Sequence, residues 1–417
     1  AAMADLTAAP KIRALEAFPS KDEGQPNFIL RDPFHYSDAA LTLSPLAALI
    51  VQMLNGKNTI LDIQAELTRA GGKIFPSDKI AELVRILDDC FFLENEKFSA
   101  RKRQVEATFV QSPVRASPLA GRSYPADPAE VLALLNGLFS SADGALDGAG
   151  ADGRAIGVIS PHIDYARGGT TYAPAYRSIA KSDAETFVIF GISHSGGATP
   201  LIPTRKNFQT PLGTVEIDRD LLGLLEKHLS GNPAWADPYA AEFAHAHEHS
   251  IEFQMVFLQY LRSNGPAFRV LPILCAFSHE EIQSENGVGP IRSFLAALSS
   301  AIAESGRRVA YIAGVDFAHV GAQFGDDFEV REKELNFLRQ RDEQMMMFLA
   351  AGERDGFHQF ITEESNGRRV CGYPALYSFL SVLPESARSE GRVLKYGQWP
   401  DPNGTVTFGS LAYRSKE

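Results

Sequence analysis

The sequence predicts an α/β protein, a mixed central sheet flanked by helices, with a small helical domain ahead of it. Three observations carry that prediction. Past residue 153, short apolar runs alternate with helical stretches, the pattern of βαβ units. The last two apolar runs, 393–398 and 406–413, follow one another with no helix between, which adds antiparallel edge strands. From about 41 to 98 the apolar residues recur instead at helical spacing. A chain of 417 residues exceeds what one ordinary core supports. The expected organisation is a front domain over 1–100, a linker over 101–114 and a larger domain over 115–417.

The front block has clear helix starts. Thr42-Leu43-Ser44-Pro45 sets a capping residue before a first-turn proline. Leu46, Leu49, Ile50, Met53 and Leu54 follow at helical spacing until Gly56. A second helix runs from Thr59 with Ile60, Ile63 and Leu67 as its stripe. Ser77-Asp78 opens a third, carrying Ile80, Leu83, Val84 and Leu87. Phe91-Phe92-Leu93 and the residues after it read as a short β-hairpin, so three helices and a wing form a winged-helix pattern. The third helix, SDKIAELVRILDD, is acidic, which disfavours DNA binding. Residues 101–114 are polar with no apolar period, and Arg101-Lys102-Arg103 reads as a solvated linker face. The Gly/Asp/Ala-rich stretch 140–153 reads as a loop.

Composition narrows the function. Hydrophobic residues at 45% and charged residues at 22% exclude a disordered chain. The net charge of −11 argues against nucleic acid, since neutralising phosphates takes a clustered basic surface. No apolar run reaches the roughly 18–20 residues of a membrane span. The opening AAMADLTAAPK lacks the basic start and apolar core of a secretory signal. Cys90, Cys275 and Cys371 are few and far apart, which predicts no disulfide framework and a reducing cytoplasm. Walker and GxSxG patterns do not occur.

Within the larger block, strands are expected at 155–160, 186–191, 269–276 and 309–315, with helices at about 170–180, 218–229, 249–263, 288–304 and 327–351. The first of these strands runs into PHIDY, the second into SHSGG and the fourth into DFAH. Ligands of open α/β sheets bind at the carboxyl ends of strands, so three distant histidines fall on one rim. Taken singly, His162 and His194 fit buried structural histidines as well as ligands. With Cys371 they make a His-His-Cys set for a borderline-soft divalent metal. Cys371 precedes the apolar helix of CGYPALYSFLSVL, where unpaired amides would lower a thiol pKa. A small core cysteine is the other reading, and it suits Cys275 in VLPILCA.

Asp316 and His319 would serve as catalytic residues, the histidine moving a proton near neutral pH. Asp316 as a plain helix cap is the alternative. In HAHEHSIEFQ no HExxH exists. His249 and Glu252 share a helix face at i, i+3 and would stand behind the ligands, while His245 and His247 fall in a loop and should face water.

The phrases RASPLAGRSYPADP, PHIDY with GGTTYAPAY, GISHSGG, TPLGTVEID, EHSIEFQMVFLQYL, DFAH and CGYPAL occur in this order. Over about 115–415 the chain therefore resembles the MEMO family, whose prokaryotic members are protein B of the AmmeMemoRadiSam system. The resemblance implies a fold related to class III extradiol dioxygenases, which hold iron(II) with two histidines and a glutamate and cleave catechols with O2. In MEMO proteins cysteine replaces the glutamate. The matching positions are His162, His194 and Cys371, with Asp316 and His319 as further pocket residues. The implied cofactor is one mononuclear metal ion, iron(II) or copper, with zinc as an alternative. The implied reaction is a metal-dependent oxidation of a small organic substrate with O2; the alternative is a non-catalytic metal- or peptide-binding protein. PHIDY departs from the family's usual PHAGY, which sets the Asp164 carboxylate beside a ligand or points it outward. The phrase LSPLAALIVQMLNGKNTILDIQAELT resembles a PqqD-like domain, which implies a peptide or radical-SAM partner for the front block.

Overall fold

The computed structural model describes residues 5–22, 25–141, 153–263 and 265–415. Most of the Gly/Asp/Ala-rich stretch expected as a loop lies outside the described residues. The chain forms two compact units, 1–111 and 112–417.

The first unit opens with strands β1 (Glu16–Asp22), β2 (Gln25–Arg31) and β3 (Ala40–Leu43), paired antiparallel in that order. Helices α1 (Pro45–Met53), α2 (Ile60–Gly71), α3 (Ser77–Asp89) and α4 (Glu96–Gln111) follow. Ser44 caps α1 by accepting from the Ala47 amide, and Thr59 and Asp62 form a reciprocal capping box on α2. Ile50, Leu54, Ile63, Ile80, Leu87 and Phe92 build the core. Leu46 and Leu49, read as part of the buried stripe, are exposed, because α1 turns Ile50 and Val51 inward.

Two expectations for this unit are corrected. No hairpin forms after Phe91: Leu93 bridges back to Ile12, and Asn95 accepts from the Phe98 amide at the start of α4. The strands precede the helices instead. The segment read as a linker is helical to Gln111. None of the α4 residues is buried, so the helix has no apolar period to announce it. Polar contacts hold it, including Tyr36 Oη donating to Glu106 at 2.7 Å and Arg101 Nε donating to the Tyr36 carbonyl at 3.1 Å.

The second unit adds β4 (Val114–Arg115), α5 (Pro128–Ser140), β5 (Gly157–Ser160), α6 (Tyr165–Ser178) and β6 (Thr186–Ile192). Next come β7 (Leu201–Pro203), β8 (Asn207–Thr210), β9 (Gly213–Val215), α7 (Arg219–Leu229) and α8 (His249–Arg262). Then follow β10 (Arg269–Cys275), α9 (His279–Gln283), α10 (Glu285–Ser305), β11 (Val309–Gly314) and β12 (His319–Val320). The chain closes with α11 (Glu332–Ala350), α12 (Arg354–Glu363), α13 (Tyr373–Val382), α14 (Glu385–Arg388), β13 (Gly391–Trp399) and β14 (Thr405–Tyr413).

The main sheet is mixed, as expected. Its order is β12-β14-β5-β11-β6-β10-β7, with β13 also paired to β14. The four central strands, β5, β11, β6 and β10, run parallel. Their residues are almost wholly buried, as parallel strands covered on both faces must be. β14 is not the edge strand expected: it pairs antiparallel with β5, and all nine of its residues are buried. A small sheet of β4, β8 and β9 stands apart. No helix among the described residues is long and apolar enough to cross a membrane.

In the first unit the buried Arg13 donates to Asp32 Oδ2 at 2.7 Å and to the Phe91 carbonyl at 2.7 Å. Asp32 also accepts the amides of Phe34 and Ser37. Removing one member of such a pair strands a buried charge. Asp32→Ala should destabilise this unit by about 3–5 kcal/mol in urea unfolding; a change below about 1 kcal/mol would show that solvent reaches the pair.

Candidate metal centre

β11 lies between β5 and β6 in the sheet, so three chain segments leave adjacent strands on the same side. His162 follows β5 by two residues, His194 follows β6 by two, and Asp316 follows β11 by two. The fourth contribution comes from the first residue of α8, His249. One donor atom each of His162, His194 and His249 lies within 4.8 Å of the others, a possible metal-binding triad. The rings of His194 and His249 stack at 4.6 Å, and that of His162 stands across both at 5.0 and 5.1 Å.

What lies behind each ring decides which nitrogen faces the centre. His162 Nδ1 is 3.0 Å from the Gly314 carbonyl. A carbonyl only accepts, so Nδ1 carries the proton and Nε2 keeps its lone pair. Burial, then the neighbouring imidazoles, hold this ring well below the ordinary histidine value, which keeps it neutral. His194 Nδ1 lies 3.0 and 3.1 Å from the two oxygens of Glu248, whose Oε2 also accepts the His194 amide at 2.9 Å. His249 Nδ1 is 3.2 Å from Glu248 Oε1.

Glu248 is the side chain that the sequence reading missed. As N-cap of α8 it accepts the amides of His249 and Ser250 at 2.8 and 3.0 Å. Burial opposes its charge, but His194, His249 and the amide donors prevail and hold the carboxyl well below its usual range. In turn, His194 rises well above the ordinary value: burial acts to lower it, and Glu248 and Cys371 outweigh that effect. A glutamate directly before the first histidine of a helix is a legible cap signal, but nothing local shows which ring it would reach.

Cys371 Sγ lies 3.4 Å from His162 Nε2 and 3.7 Å from the Asp316 carbonyl. The three ligand positions implied by resemblance are thus brought together, with His249 added. Gly372 permits this approach, since a Cβ there would sit 2.6 Å from the Asp316 carbonyl oxygen. The expected lowering of the thiol pKa is not found. Burial pushes the thiol up and Asp316 adds to it, with His194 pulling the other way. Cys275 fills the core, its thiol raised to about 12 by burial.

Asp316 accepts the amides of His162 and Ile163 at 3.0 and 3.1 Å and so fixes the turn that carries His162. Burial raises its carboxyl to about 7 against those amides. His319 Nδ1 faces the carbonyls of Phe317 and Arg369 at 3.2 and 3.3 Å, and burial lowers the ring to about 4. Glu252, expected behind the ligands, is instead buried against Arg115 and Tyr124. Asp164 caps α6 and pairs with Arg167. Gly168 and Gly169 lie within α6; Cβ atoms there would meet Ile163 and Leu138 at 2.3 and 2.6 Å. His245, expected to face water, is buried with Nε2 2.8 Å from the Ile202 carbonyl.

A model of the Memo-like protein family matches residues 115–411. The chain belongs to the Memo family. A MEMO1 family protein of Aquifex aeolicus is 25% identical over 406 residues, covering 97% of this chain and 99% of its own length. One from Methanococcoides burtonii is 33% identical over 249 residues, 60% of this chain and 81% of its own. The Thermococcus kodakarensis protein TK1477 is 34% identical over 226 residues, 53% of this chain and 71% of its own. An alignment of 406 residues takes in most of the first unit as well, so the two-unit chain has a Memo relative of matching extent.

For this Memo centre, the carboxylate behind His194 gives a direct test. Glu248→Gln should weaken metal affinity by about 10–100-fold, read by chelator competition under nitrogen. Equal affinity in both proteins would reduce Glu248 to a helix cap.

Proposed function

We propose that this Memo protein is a mononuclear metal protein with His162, His194 and Cys371 as ligands and His249 beside them. In this reading it acts as an iron- or copper-dependent oxidoreductase on a small organic substrate. The observation that supports the reading is the convergence of three imidazoles and a thiol on one rim of the sheet. Borderline and soft donors of this kind suit copper(I), iron(II) or zinc better than magnesium or calcium. Bound here, such an ion would supply Lewis acidity and, for iron or copper, electron exchange with O2.

The chain's own residues do the positioning. Gly314 and Glu248 set the ring nitrogens, and Asp316 holds the backbone of His162 and Ile163. With Nδ1 turned to carbonyls and the ring neutral at pH 7, His319 offers Nε2 as a proton acceptor. A second reading is non-catalytic metal or peptide binding. It is favoured by the exposed apolar residues Leu46, Leu49 and Ile74 of the first unit, which would suit a peptide or radical-SAM partner protein.

Metal analysis after anaerobic purification separates the ligands from the core cysteine. Cys371→Ser should lose most bound metal, while Cys275→Ser should retain it; equal retention would remove Cys371 from the ligand set. Oxygen uptake with catechols tests turnover, and a stoichiometric metal with no uptake would favour the second reading. Deleting 1–111 should leave metal loading intact and abolish capture of a partner peptide. Loss of loading on that deletion would make the two units functionally one.

A further inference from the structure

Two helices bring their aromatic rings together behind the histidines. On α8, His249, Phe253 and Phe257 recur every fourth residue and share one face. On α6, Tyr165, Tyr172 and Tyr176 are also buried. The rings run without a gap from the centre: His162 to His249 at 5.1 Å, His249 to Phe253 at 5.6 Å, Phe253 to Tyr165 at 4.9 Å and Tyr165 to Tyr172 at 5.4 Å. Tyr124 joins them, 6.2 Å from Phe253 and 5.8 Å from Tyr165. These spacings are those of rings in contact.

Phenylalanine would serve such packing equally well, so the hydroxyls set the tyrosines apart. Tyr165 donates to the Phe253 carbonyl at 2.8 Å, Tyr172 to the Ile163 carbonyl at 2.7 Å and Tyr176 to Gln254 Oε1 at 2.7 Å. All three acceptors are neutral oxygens with little basicity. Tyr124 instead donates to a carboxylate, Glu252 Oε1, at 2.5 Å. Arg115 takes the other oxygen, Oε2, and leaves Oε1 to the phenol. At rest the phenol keeps its proton, since burial and then the Glu252 charge push its pKa up. Loss of an electron from the ring reverses that balance. The resulting cation holds its O–H proton weakly, and of these four tyrosines Tyr124 alone has a base to receive it.

We propose that Tyr124 is a redox-active tyrosine, coupled to the histidine centre through Phe253 and with Glu252 as its proton acceptor. The proposal rests on the centre holding a redox metal. Hydrogen peroxide is the co-reactant. Its O–O bond breaks as it takes one electron from reduced iron or copper and one from Tyr124, and two solvent protons complete two waters. The phenolic O–H bond breaks, its proton forms an O–H bond to Glu252 Oε1, and a neutral phenoxyl radical remains. A solution reductant such as ascorbate then supplies one electron, and Glu252 returns the proton. Gly121 and Arg122, just before Tyr124 in the chain, are exposed, so this end of the path lies close to solvent. The device draws oxidising equivalents away from Cys371, whose Sγ stands 3.4 Å from His162 Nε2 and is open to oxidation.

The test is electron paramagnetic resonance on the full chain in two arms. In one, iron(II)-loaded protein is mixed with stoichiometric peroxide and freeze-quenched; in the other, metal-free protein is oxidised by a flash-generated ruthenium(III) complex. The unaltered chain should give a tyrosyl signal in both, formed more slowly in heavy water. Tyr124→Phe keeps the ring and the Arg115–Glu252 pair, yet should lose most of the peroxide signal and the corresponding part of the flash signal. Tyr172→Phe, whose hydroxyl meets a carbonyl, should retain both. Peptide mass spectrometry after peroxide should find more oxidised Cys371 in Tyr124→Phe than in the unaltered chain. Metal analysis of the same samples keeps the two readings apart: a chain that binds no iron counts against the metal centre, and the flash arm still judges Tyr124. Signals of equal size in Tyr124→Phe, or equal loss in Tyr172→Phe, would overturn the proposal.

Discussion

Arg115 lies at the start of the second unit and is fully buried. Its Nε donates to the His245 carbonyl at 2.8 Å, its Nη2 to the Glu248 carbonyl at 2.7 Å and its Nη1 to the Glu252 carboxylate. Tyr124 Oη completes the set by donating to the other Glu252 oxygen at 2.5 Å. A buried ion pair is weak evidence of net stability, but an unpaired charge in its place costs several kcal/mol. The segment 245–248 and the first turn of α8 therefore have one arrangement in which every buried charge is met. That arrangement puts Glu248 and His249 where the centre needs them.

Space as well as charge lets α8 reach the sheet. A Cβ at Gly191 would meet Ile251 and Ser250 at 2.6 Å, and one at Gly314 would meet the Ser250 carbonyl at 2.7 Å. Bare backbone at the ends of β6 and β11 thus admits the helix. Ser250 then pins it to the sheet, accepting the Ile192 amide and donating to the Ile192 carbonyl, both at 3.0 Å. The Gly314 carbonyl exposed by the same close packing is the one that fixes the His162 tautomer.

The two carboxylates of the centre behave oppositely for a reason visible in their partners. Glu248 faces two imidazoles and three backbone amides, which together overcome its burial. Asp316 has two amides, a 3.7 Å approach to the neutral His162 and, among the described residues, no cation in contact, so burial prevails and its carboxyl rises to about 7. One carboxylate thereby stays charged beside His194, while the other sits near its titration point beside the buried His162. The rings differ accordingly: His162 is kept neutral and His194 is driven toward the cation.

Much of this was legible along the chain. Apolar runs marked the four parallel strands, caps marked α1 and α2, and the strand ends marked His162, His194 and Asp316, because these signals are local and periodic. The polar helix α4 and the sheet ahead of α1 were not, since one has no apolar face and the other gave no clear alternation. The interior place of β14 was also hidden: a strand's sequence shows that it is buried, but not which neighbours bury it. For the centre, the sequence by itself determined the residue types and the rim on which they meet. Tertiary structure alone decided that Glu248 rather than Glu252 backs the imidazoles, that His249 joins them, and that burial raises the Cys371 thiol. Those outcomes depend on contacts between residues more than fifty positions apart, where packing and desolvation set the energy and no local pattern records it.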